Sequence, residues 1–555
     1  MQQIREQKFW KLDLWKMATI FFLVVFAIFL VYPLLGLLKE AVFTSEGDFT
    51  LNEFAKFFSK PYYRQTIINS FSVSIAVTIV SLVIGIPFSY FYSFYSIKGS
   101  KLIYVLSIMC VMSAPFLGAY SWILLLGRSG SITIFFKNYL GINLKNIYGF
   151  SGILLVQSLK LFPLIFIYMN GAFKDIDSSL LEVSSSLGCR GINRFFKVIL
   201  RLVMPTMLAA ALLVFMRAFA DFGTPLLIGE GYRTFPVEIY NNYLGEHGQN
   251  KNFAAAISII AILVTALVFF IQKLATSKFN FTINSSNPIV KKKPKGIQGI
   301  LMYIYLYGMM AISFLPQVYI IYLSFRNANQ AVFLDGYSLG NYSLALDRLL
   351  GRSIKNTLIM GIGALLIIII ASVFIAYLVV RRNNFANNVI DTVSMIPYII
   401  PGSVIGIALT LAFNSGYLVM TGTMTIMILS MAMRRMPYTI RSANASLMQV
   451  PMTTEEAAVS LGASKLKTFV RITVPMMSNG IISGAILSWV AIVTELSSAI
   501  ILYNNSTITL TMSAYVAISR GNYGLAAAFS AILTVLTSLS LILYLHVSKT
   551  EDIEV

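Results

Sequence analysis

Six ionisable side chains within apolar stretches of this 555-residue sequence are candidates for a functional role, and two of them, Asp221 and Glu495, stand 274 positions apart. An ionisable group at membrane depth is costly and usually faces protein or water. The two carboxylates could therefore line a pathway for a cation or a cationic substrate. Alternatively, Asp221 could pair with Arg217 on the same helix face, whereas Ala491 leaves Glu495 without a matching arginine. The six residues are Lys160, Arg217, Asp221, Arg434, Arg435 and Glu495.

Prolines interrupt several of the same stretches. Lys160 and Arg434 precede Pro163 and Pro437 by three residues, and we expect both basic side chains to extend toward the cytoplasmic boundary of the membrane. A proline inside a membrane helix frees carbonyl groups that a neighbour or a lined cavity must satisfy. The candidate residues of a translocation pathway are therefore Asp221, Glu495, Pro115 and Pro401.

Two polar segments carry a further signal. Glu182-Val-Ser-Ser-Ser-Leu-Gly188 and Glu456-Ala-Ala-Val-Ser-Leu-Gly462 repeat at the same offset of 274. A hydroxyl residue, Ser179 or Thr453, precedes each glutamate by three positions, which is the capping-box spacing that starts a helix. Each glycine falls where a short helix would end, and a second helix with apolar residues at helical spacing follows. Helix capping alone would explain one copy, but two copies at one offset favour a docking role.

The elements that must position these residues are long apolar segments. A hydrophobic fraction of 57%, a charged fraction of 12% and a mean hydropathy of +0.77 exclude an ordinary soluble domain. Runs of 18 or more apolar residues can cross the membrane as helices, so we predict an all-α integral membrane protein. The twelve predicted spans are 17–38, 67–94, 102–126, 150–172, 204–227, 252–275, 298–325, 355–380, 388–413, 417–436, 479–502 and 524–547.

The formal net charge of +20 is a topology signal and does not indicate nucleic-acid binding. Basic residues cluster before the first span and after the even-numbered spans, for example at 291–295. The positive-inside rule makes that side cytoplasmic. We therefore expect a multi-pass protein of the cell membrane with both termini in the cytoplasm. The two cysteines form no disulfide framework, and the sequence has no apparent metal-ligand cluster or catalytic constellation.

The chain contains an internal repeat of two halves. Besides the connectors, Phe195 matches Phe469 at the offset of 274, whereas Asn69 matches Asn356 at an offset of 287. The larger offset in the earlier part of each half predicts an insertion around 127–149. Because each half has an even number of spans, the halves are parallel repeats about a pseudo-two-fold axis. We predict a first half at 1–283 with its connector at 176–205, a cytoplasmic linker at 284–296, and a second half at 297–555 with its connector at 450–475.

The second connector resembles the signature loop of permeases from binding-protein-dependent ABC importers, Glu-Ala-Ala-x-x-x-Gly followed by Ile-x-x-Pro. The first copy departs from this pattern, with Val183 and Ser184 for the alanines and Arg201 for the proline. Fused double permeases of the ferric-iron type look especially similar, on the stretches 114–122, 219–224, 396–403 and 494–498. The residues that fit the signature fully are Glu456, Ala457, Ala458, Gly462, Ile472 and Pro475.

The resemblance implies a type I importer permease, in which each connector forms a coupling helix that sits in a groove of an ATPase subunit. The sequence contains no Gly-x-x-x-x-Gly-Lys-Ser/Thr phosphate loop, so ATP and Mg would be bound by partners and this chain would need no cofactor. The implied partners are two ATP-binding subunits, an extracytoplasmic substrate-binding protein and the lipid bilayer. The implied coupling residues are Glu182, Gly188, Phe195, Glu456, Ala457, Ala458, Gly462 and Phe469.

The leading hypothesis is a fused ABC importer permease that serves ferric iron and is not itself an enzyme. The same architecture also serves thiamine, 2-aminoethylphosphonate and polyamines, so the cargo stays open. A secondary transporter of twelve spans is the alternative class, and it would need no ATPase partner. A membrane enzyme is disfavoured because the sequence shows no catalytic constellation.

Overall fold

The computed structural model describes residues 14–44, 46–245, 250–278, 287 and 289–547. These residues form helices and a small antiparallel hairpin. Pro115 and Pro61 stand in the first turns of their helices, where a missing backbone N–H costs nothing. The first half contains α1 Leu14–Phe26, a π turn Ala27–Val31, α2 Tyr32–Val42, α3 Asn52–Ser59, α4 Pro61–Phe94, α5 Ser100–Met112, α6 Pro115–Leu126, α7 Ser131–Leu140, α8 Phe150–Lys174, α9 Ser178–Ser186, α10 Gly191–Arg194, a π turn Phe195–Ile199, α11 Leu200–Leu202, α12 Met204–Phe219, α13 Gly223–Ile228, α14 Phe235–Leu244 and α15 Lys251–Lys278.

The second half repeats this order and adds the hairpin. Strands β1 and β2 pair antiparallel, with Ala328 opposite Phe333. The elements are α16 Gly296–Ser324, β1 Arg326–Asn329, β2 Val332–Tyr337, α17 Gly340–Arg348, α18 Leu350–Arg381, α19 Phe385–Ile399, α20 Gly402–Phe413, α21 Met424–Gln449, α22 Met452–Ser460, α23 Lys465–Thr468, a π turn Phe469–Thr473, α24 Val474–Met476, α25 Ser478–Val493, α26 Ala499–Leu502, α27 Leu510–Ser519 and α28 Tyr523–Val547.

Equivalent elements lie at the two predicted offsets. Helices α6 and α20 begin at Pro115 and Gly402, which is the offset of 287, and α9 and α22 begin at Ser178 and Met452, which is the offset of 274. The connection between α6 and α8 runs from 127 to 149 and includes α7, whereas the connection between α20 and α21 runs only from 414 to 423. The predicted insertion is therefore confirmed, and much of it is the helix α7.

Among the described residues, eight helices are long and apolar enough to cross a membrane, or up to eleven if each of three bent helix pairs is one span. The predicted span 417–436 corresponds to α21, which begins at Met424 and carries Arg434, Arg435 and Arg441. Four other predicted spans, 102–126, 204–227, 388–413 and 479–502, are interrupted rather than continuous. Helices α19 and α20, for example, meet at an angle of 109°. Apolar composition identified these segments but not their breaks.

The first span of each half packs against the other half. The N-terminal pair α1 and α2 packs on α19 and α20 of the second half, and α16 packs on α5 and α6 of the first. The Thr19 hydroxyl donates to Asn387 Oδ1 at 2.9 Å. In the reciprocal contact, the Tyr305 hydroxyl donates to the Ile84 carbonyl at 2.7 Å. The two halves are consequently interlocked by their first spans.

Both connectors lie at the same end of the helices, which we call the connector end. Helix α1 begins there, because Trp15 packs against Phe469 of the second connector with ring centroids 5.0 Å apart. Helix α2 ends at the opposite end, where Asn252 at the start of α15 donates to the Glu40 and Phe43 carbonyls. Helix α4 starts at that opposite end, where Tyr63 packs on Phe253, and reaches the connector end, where Tyr90 packs on Phe195.

The described part of the predicted linker is attached to the first half. Lys292 N donates to the Phe94 carbonyl at 2.9 Å, and Ser96 N donates to the Lys292 carbonyl at the same distance. Ser178 N, at the start of α9, donates to the Asn287 carbonyl at 3.0 Å. Most of the segment 279–288 lies outside the described residues.

Candidate functional site

The four helix breaks converge on one cavity between the two halves. Its volume is about 210 Å³, which is below the roughly 300–1,000 Å³ of pockets for drug-sized ligands. The first half contributes the breaks at 113–114 and 220–222, and the second half contributes the ends of helices around 397–399 and 494–497. Sites for small cargo in transporters are typically built from such discontinuous helices.

All six ionisable residues singled out in the sequence line this cavity. They come from α8, α12 and the following break in the first half, and from α21 and the break after α25 in the second half. Pro115, at the start of α6, also lines the cavity. Pro401 is the residue before α20. It is buried beside the cavity and is not among its lining residues.

Glu495 is enclosed by protein donors, and its side chain is 1% exposed. Its two carboxylate oxygens form ion pairs with Arg434 and Arg435. Ser497 and Ser498 also donate hydroxyl hydrogen bonds to Oε1, at 2.9 and 3.2 Å. Ala491 leaves Glu495 without an arginine four residues earlier in the chain, but Glu495 does have two arginine partners. These partners lie on a different helix, α21. The residue spacing around Glu495 in the sequence therefore does not reveal them.

Asp221 is held differently from its counterpart. Gln157 Nε2 donates to Asp221 Oδ2 at 2.9 Å, and Gly223 N donates to Oδ1 at 3.1 Å. Within the described part of the chain, Asp221 has no ion pair with Arg217. The suggested pair on one helix face is thus not formed, because the helix α12 ends at Phe219, before Asp221.

The basic residues of the cavity do not extend to a membrane boundary, which corrects the expectation for Lys160 and Arg434. Arg434 is bound to Glu495 and donates from Nη1 to Ser497 Oγ at 3.1 Å. Gly402 makes room for this cluster, since a Cβ there would collide with Ser497 Oγ and Arg434 Nη1. Lys160 and Arg217 also line the cavity, and among the described residues neither forms an ion pair.

Three further lining residues were missed in the sequence. Gln157 stands one helical turn before Lys160, and Tyr398 stands between two prolines. Tyr438 follows Pro437, and its ring packs edge-on against Tyr398 with centroids 5.5 Å apart. The sequence signal for Tyr398 is the pair of prolines around it, which predicts an irregular backbone that lines a cavity.

The two connectors are helix–turn–helix units, as predicted, but the predicted capping boxes are absent from α9 and α22. The N-cap of α9 is Asp177, whose Oδ1 accepts a hydrogen bond from Ser179 N at 2.9 Å. Pro451 precedes α22 and gives no side-chain cap. The hydroxyl residues 179 and 453 already lie inside their helices. A competing Asx turn and a proline start therefore replace the capping box.

The glycine helix ends are confirmed in both copies. Gly188 has φ of +79° and Gly462 has φ of +89°, a left-handed conformation that glycine adopts without a steric penalty. Gly462 N donates to the Val459 carbonyl, and Ala463 N donates to the Ala458 carbonyl, at 2.9 and 3.0 Å. The first copy makes the same pair of bonds, which is the hydrogen-bond pattern of a Schellman helix end.

Each connector presents an apolar tip. Leu187 is 81% exposed and Leu461 is 90% exposed, and both precede the glycine that ends the helix. Glu182, Glu456 and Ala457 are also exposed, whereas Ala458 is buried. The two connectors therefore expose a large apolar side chain at the same point of the repeat.

The other face of each connector packs on the membrane helices through an aromatic pair. Phe195 lies against Tyr90 with ring centroids 5.1 Å apart, and Phe469 lies against Tyr377 at 4.9 Å. Both phenylalanines begin a π turn, Phe195–Ile199 or Phe469–Thr473. The predicted pair Phe195 and Phe469 therefore joins the connectors to α4 and α18.

The second connector has an additional attachment. Glu455 Oε1 accepts from Arg381 Nε at 2.9 Å, and Arg381 Nη2 donates to the Val450 carbonyl at 2.6 Å. By the two offsets, the equivalent residues in the first half are Leu181 and Phe94, both buried. The connectors thus share their exposed tips and differ in how they are fixed.

Comparison with known proteins places this geometry in context. The family of inner membrane components of binding-protein-dependent transport systems matches residues 81–280 and again 363–550. The ferric transport system permease protein FbpB of Actinobacillus pleuropneumoniae is 28% identical over 515 residues, 91% of this chain and 74% of the relative. The spermidine/putrescine permease protein PotB of Haemophilus influenzae is 27% identical over 50% of this chain and 98% of its own length. The molybdate/tungstate permease protein WtpB of Pyrococcus furiosus is 31% identical over 36% of this chain and 79% of its own length.

Proposed function

Because this chain belongs to the inner membrane components of binding-protein-dependent transport systems and carries that unit twice, we propose that it supplies both transmembrane halves of an ATP-driven importer for ferric iron. The connector end faces the cytoplasm, and each connector docks on one of two separate ATPase subunits. A substrate-binding protein delivers cargo at the opposite end. The cargo then passes through the cavity between the halves.

The observation that carries the proposal is the pair of exposed tips, Leu187 and Leu461, on connectors of the same backbone geometry. Two equivalent apolar knobs suit two copies of one partner, as expected for a pseudo-two-fold assembly. The aromatic pairs behind the tips couple each connector to a membrane helix. A shift of the docked partner would therefore be transmitted to α4 and α18.

The support for ferric iron comes from likeness along nearly the whole chain to a ferric permease that is itself a longer single chain. The relatives that transport spermidine or molybdate match only half of the chain or less. Uptake of ⁵⁵Fe by iron-starved cells that express the complete system tests this cargo directly. Uptake that does not rise above that of cells without the system would remove iron from the proposal.

Docking is tested at the second connector. Gly462→Pro cannot adopt a φ of +89° and loses the N–H that binds Val459, and Glu456→Lys reverses an exposed charge. We expect both variants to lose most ATPase co-purification and nearly all transport. Gly521→Pro is the matched control, since Gly521 ends α27 with the same left-handed geometry at the end away from the connectors.

Normal co-purification and normal transport in both connector variants would refute the docking role. Transport that continues without ATPase subunits would instead favour the secondary transporter. A loss in the Gly521→Pro control equal to that in Gly462→Pro would show a general effect of the substitution and would also count against the connector.

A further inference from the structure

The cavity between the halves carries a formal positive charge. Among the described residues, its lining includes four cationic and two anionic side chains, a formal charge of +2. Unpaired charges at membrane depth are costly, and they mark the paths of ions and substrates. The four cationic residues are Lys160, Arg217, Arg434 and Arg435.

Neither carboxylate is presented to a positively charged ligand. Glu495 is satisfied by two guanidinium groups and two seryl hydroxyls. Asp221 accepts from Gln157 and from the Gly223 backbone. A cation that entered would meet carboxylates already bonded to donors, in a lining with more cationic than anionic side chains, and like charges repel in a low-dielectric site.

Two cationic side chains, by contrast, have no carboxylate partner. Lys160 and Arg217 line the cavity and form no ion pair within the described ranges, and Arg217 is hydrogen-bonded to the Tyr398 side chain. The Nε atoms of Arg434 and Arg435 are buried, and neither has a hydrogen-bond acceptor in the part of the chain that the structure describes. A buried donor without a partner is costly. Arginine favours ligands with planar or tetrahedral groups of oxygen atoms, such as carboxylate and phosphate.

We propose that the cavity binds a small anion whose negative charge is carried by oxygen atoms, and that Lys160 and Arg217 contact it. This inference rests on the proposed function as an importer permease, because it concerns the form in which cargo crosses. The same oxygen chemistry has two sources: a free oxyanion, or a ferric ion enclosed by anionic oxygen ligands. A bare cation or a polyamine does not fit.

The test measures equilibrium binding to the full-length chain in nanodiscs of phosphatidylcholine, a lipid without net charge. The probes are [³²P]phosphate, [⁹⁹Mo]molybdate, ⁵⁵Fe–citrate and [¹⁴C]spermidine. We expect at least one anionic probe to bind and spermidine not to bind. Arg217→Gln and Lys160→Gln should each weaken anion binding at least tenfold, whereas the charge-conserving Arg217→Lys should weaken it less than threefold.

Arg441→Gln is the matched control. Arg441 lies on α21 like Arg434, but it is half exposed and pairs with Asp391 at 3.3 Å outside the cavity. The control should leave anion binding unchanged. Thermal unfolding of each variant establishes that the protein is folded, so that a loss of binding cannot be a loss of structure.

Each result bears on the inference. Spermidine binding that Arg217→Gln strengthens would overturn it, as would the absence of binding by every anionic probe, or anion binding that both glutamine variants leave intact. Binding of ⁵⁵Fe with its citrate supports transport of iron as an anionic complex. Binding of phosphate or molybdate without ferric citrate supports a free oxyanion, which would refute the iron assignment and leave the anion site standing.

Discussion

At the scale of single residues, the cluster around Glu495 is the most tightly determined part of the cavity. A buried carboxylate held by two arginines is expensive to disturb, because removal of one partner leaves an uncompensated charge. The cluster also joins α21 to the break after α25 through side chains alone. The cluster therefore fixes the geometry of the cavity wall, whereas Lys160 and Arg217 line the cavity without an ion pair among the described residues.

Glu495→Gln should destabilise the chain by about 3 kcal/mol, because Arg434 and Arg435 would lose their common counter-charge. Thermal unfolding of the detergent-solubilised protein measures the effect. The control is Asp391→Asn, which breaks the half-exposed pair with Arg441 and should cost at most about 1 kcal/mol. Equal unfolding temperatures for the two variants would contradict a structural role for Glu495.

The sequence identified all six ionisable residues of the cavity but not their partners. Their cost in an apolar segment made them visible one at a time. The partners of Glu495 depend on how α21 packs against α25. Residue spacing along one helix does not predict that contact. A continuous helix would place Asp221 beside Arg217, but α12 ends at Phe219, between the two residues.

At the scale of elements, the sequence predicts where the connector helices end but not how they start. The glycine helix ends were predictable, since a left-handed residue after a short helix favours glycine at 188 and 462. The helix starts were not, because Asp177 and Pro451 compete with the capping boxes. Apolar run length likewise located α19 and α20 but could not show the 109° bend between them.

The Arg381–Glu455 pair fixes the second connector, and its equivalents Phe94 and Leu181 suggest an exchange experiment. Arg381→Phe alone should destabilise the chain by about 3–5 kcal/mol, because Glu455 would be buried without its partner. The double variant Arg381→Phe with Glu455→Leu reproduces the apolar arrangement of the first half. We expect it to recover most of the lost stability, measured by thermal unfolding.

The two substitutions are therefore strongly non-additive if the pair acts as a unit. A double variant as unstable as the sum of the single variants would show that Arg381 and Glu455 act separately. A double variant that is stable but fails to retain the ATPase subunits would separate the positioning of the connector from the stability of the fold.

At the scale of the whole molecule, the exchanged first spans make the halves depend on each other. Helices α1 and α2 cover α19 and α20, and α16 covers α5 and α6. Trp15 is also part of the contact around Phe469, with its ring 4.3 Å from that of Tyr377. A half expressed alone would expose the apolar surface that the other half's first span covers.

A break in the chain at the predicted boundary should therefore be tolerated when both pieces are present. We expect fragments 1–283 and 284–555 to co-purify when they are expressed together, and each to be degraded when it is expressed alone. Abundance in membranes and affinity purification through a tag on one fragment measure this. Two fragments that are each stable alone would contradict the interlocked arrangement.

The helix α7 gives the end opposite the connectors a different character. Only the first half carries it, and Phe135 and Tyr139 on it are exposed. The connector end presents two equivalent exposed tips, whereas the opposite end is asymmetric because α7 belongs to one half only. A delivering protein that contacts α7 can land in just one of the two orientations related by the pseudo-two-fold axis. Such a protein would then always bind in the same orientation relative to the two halves.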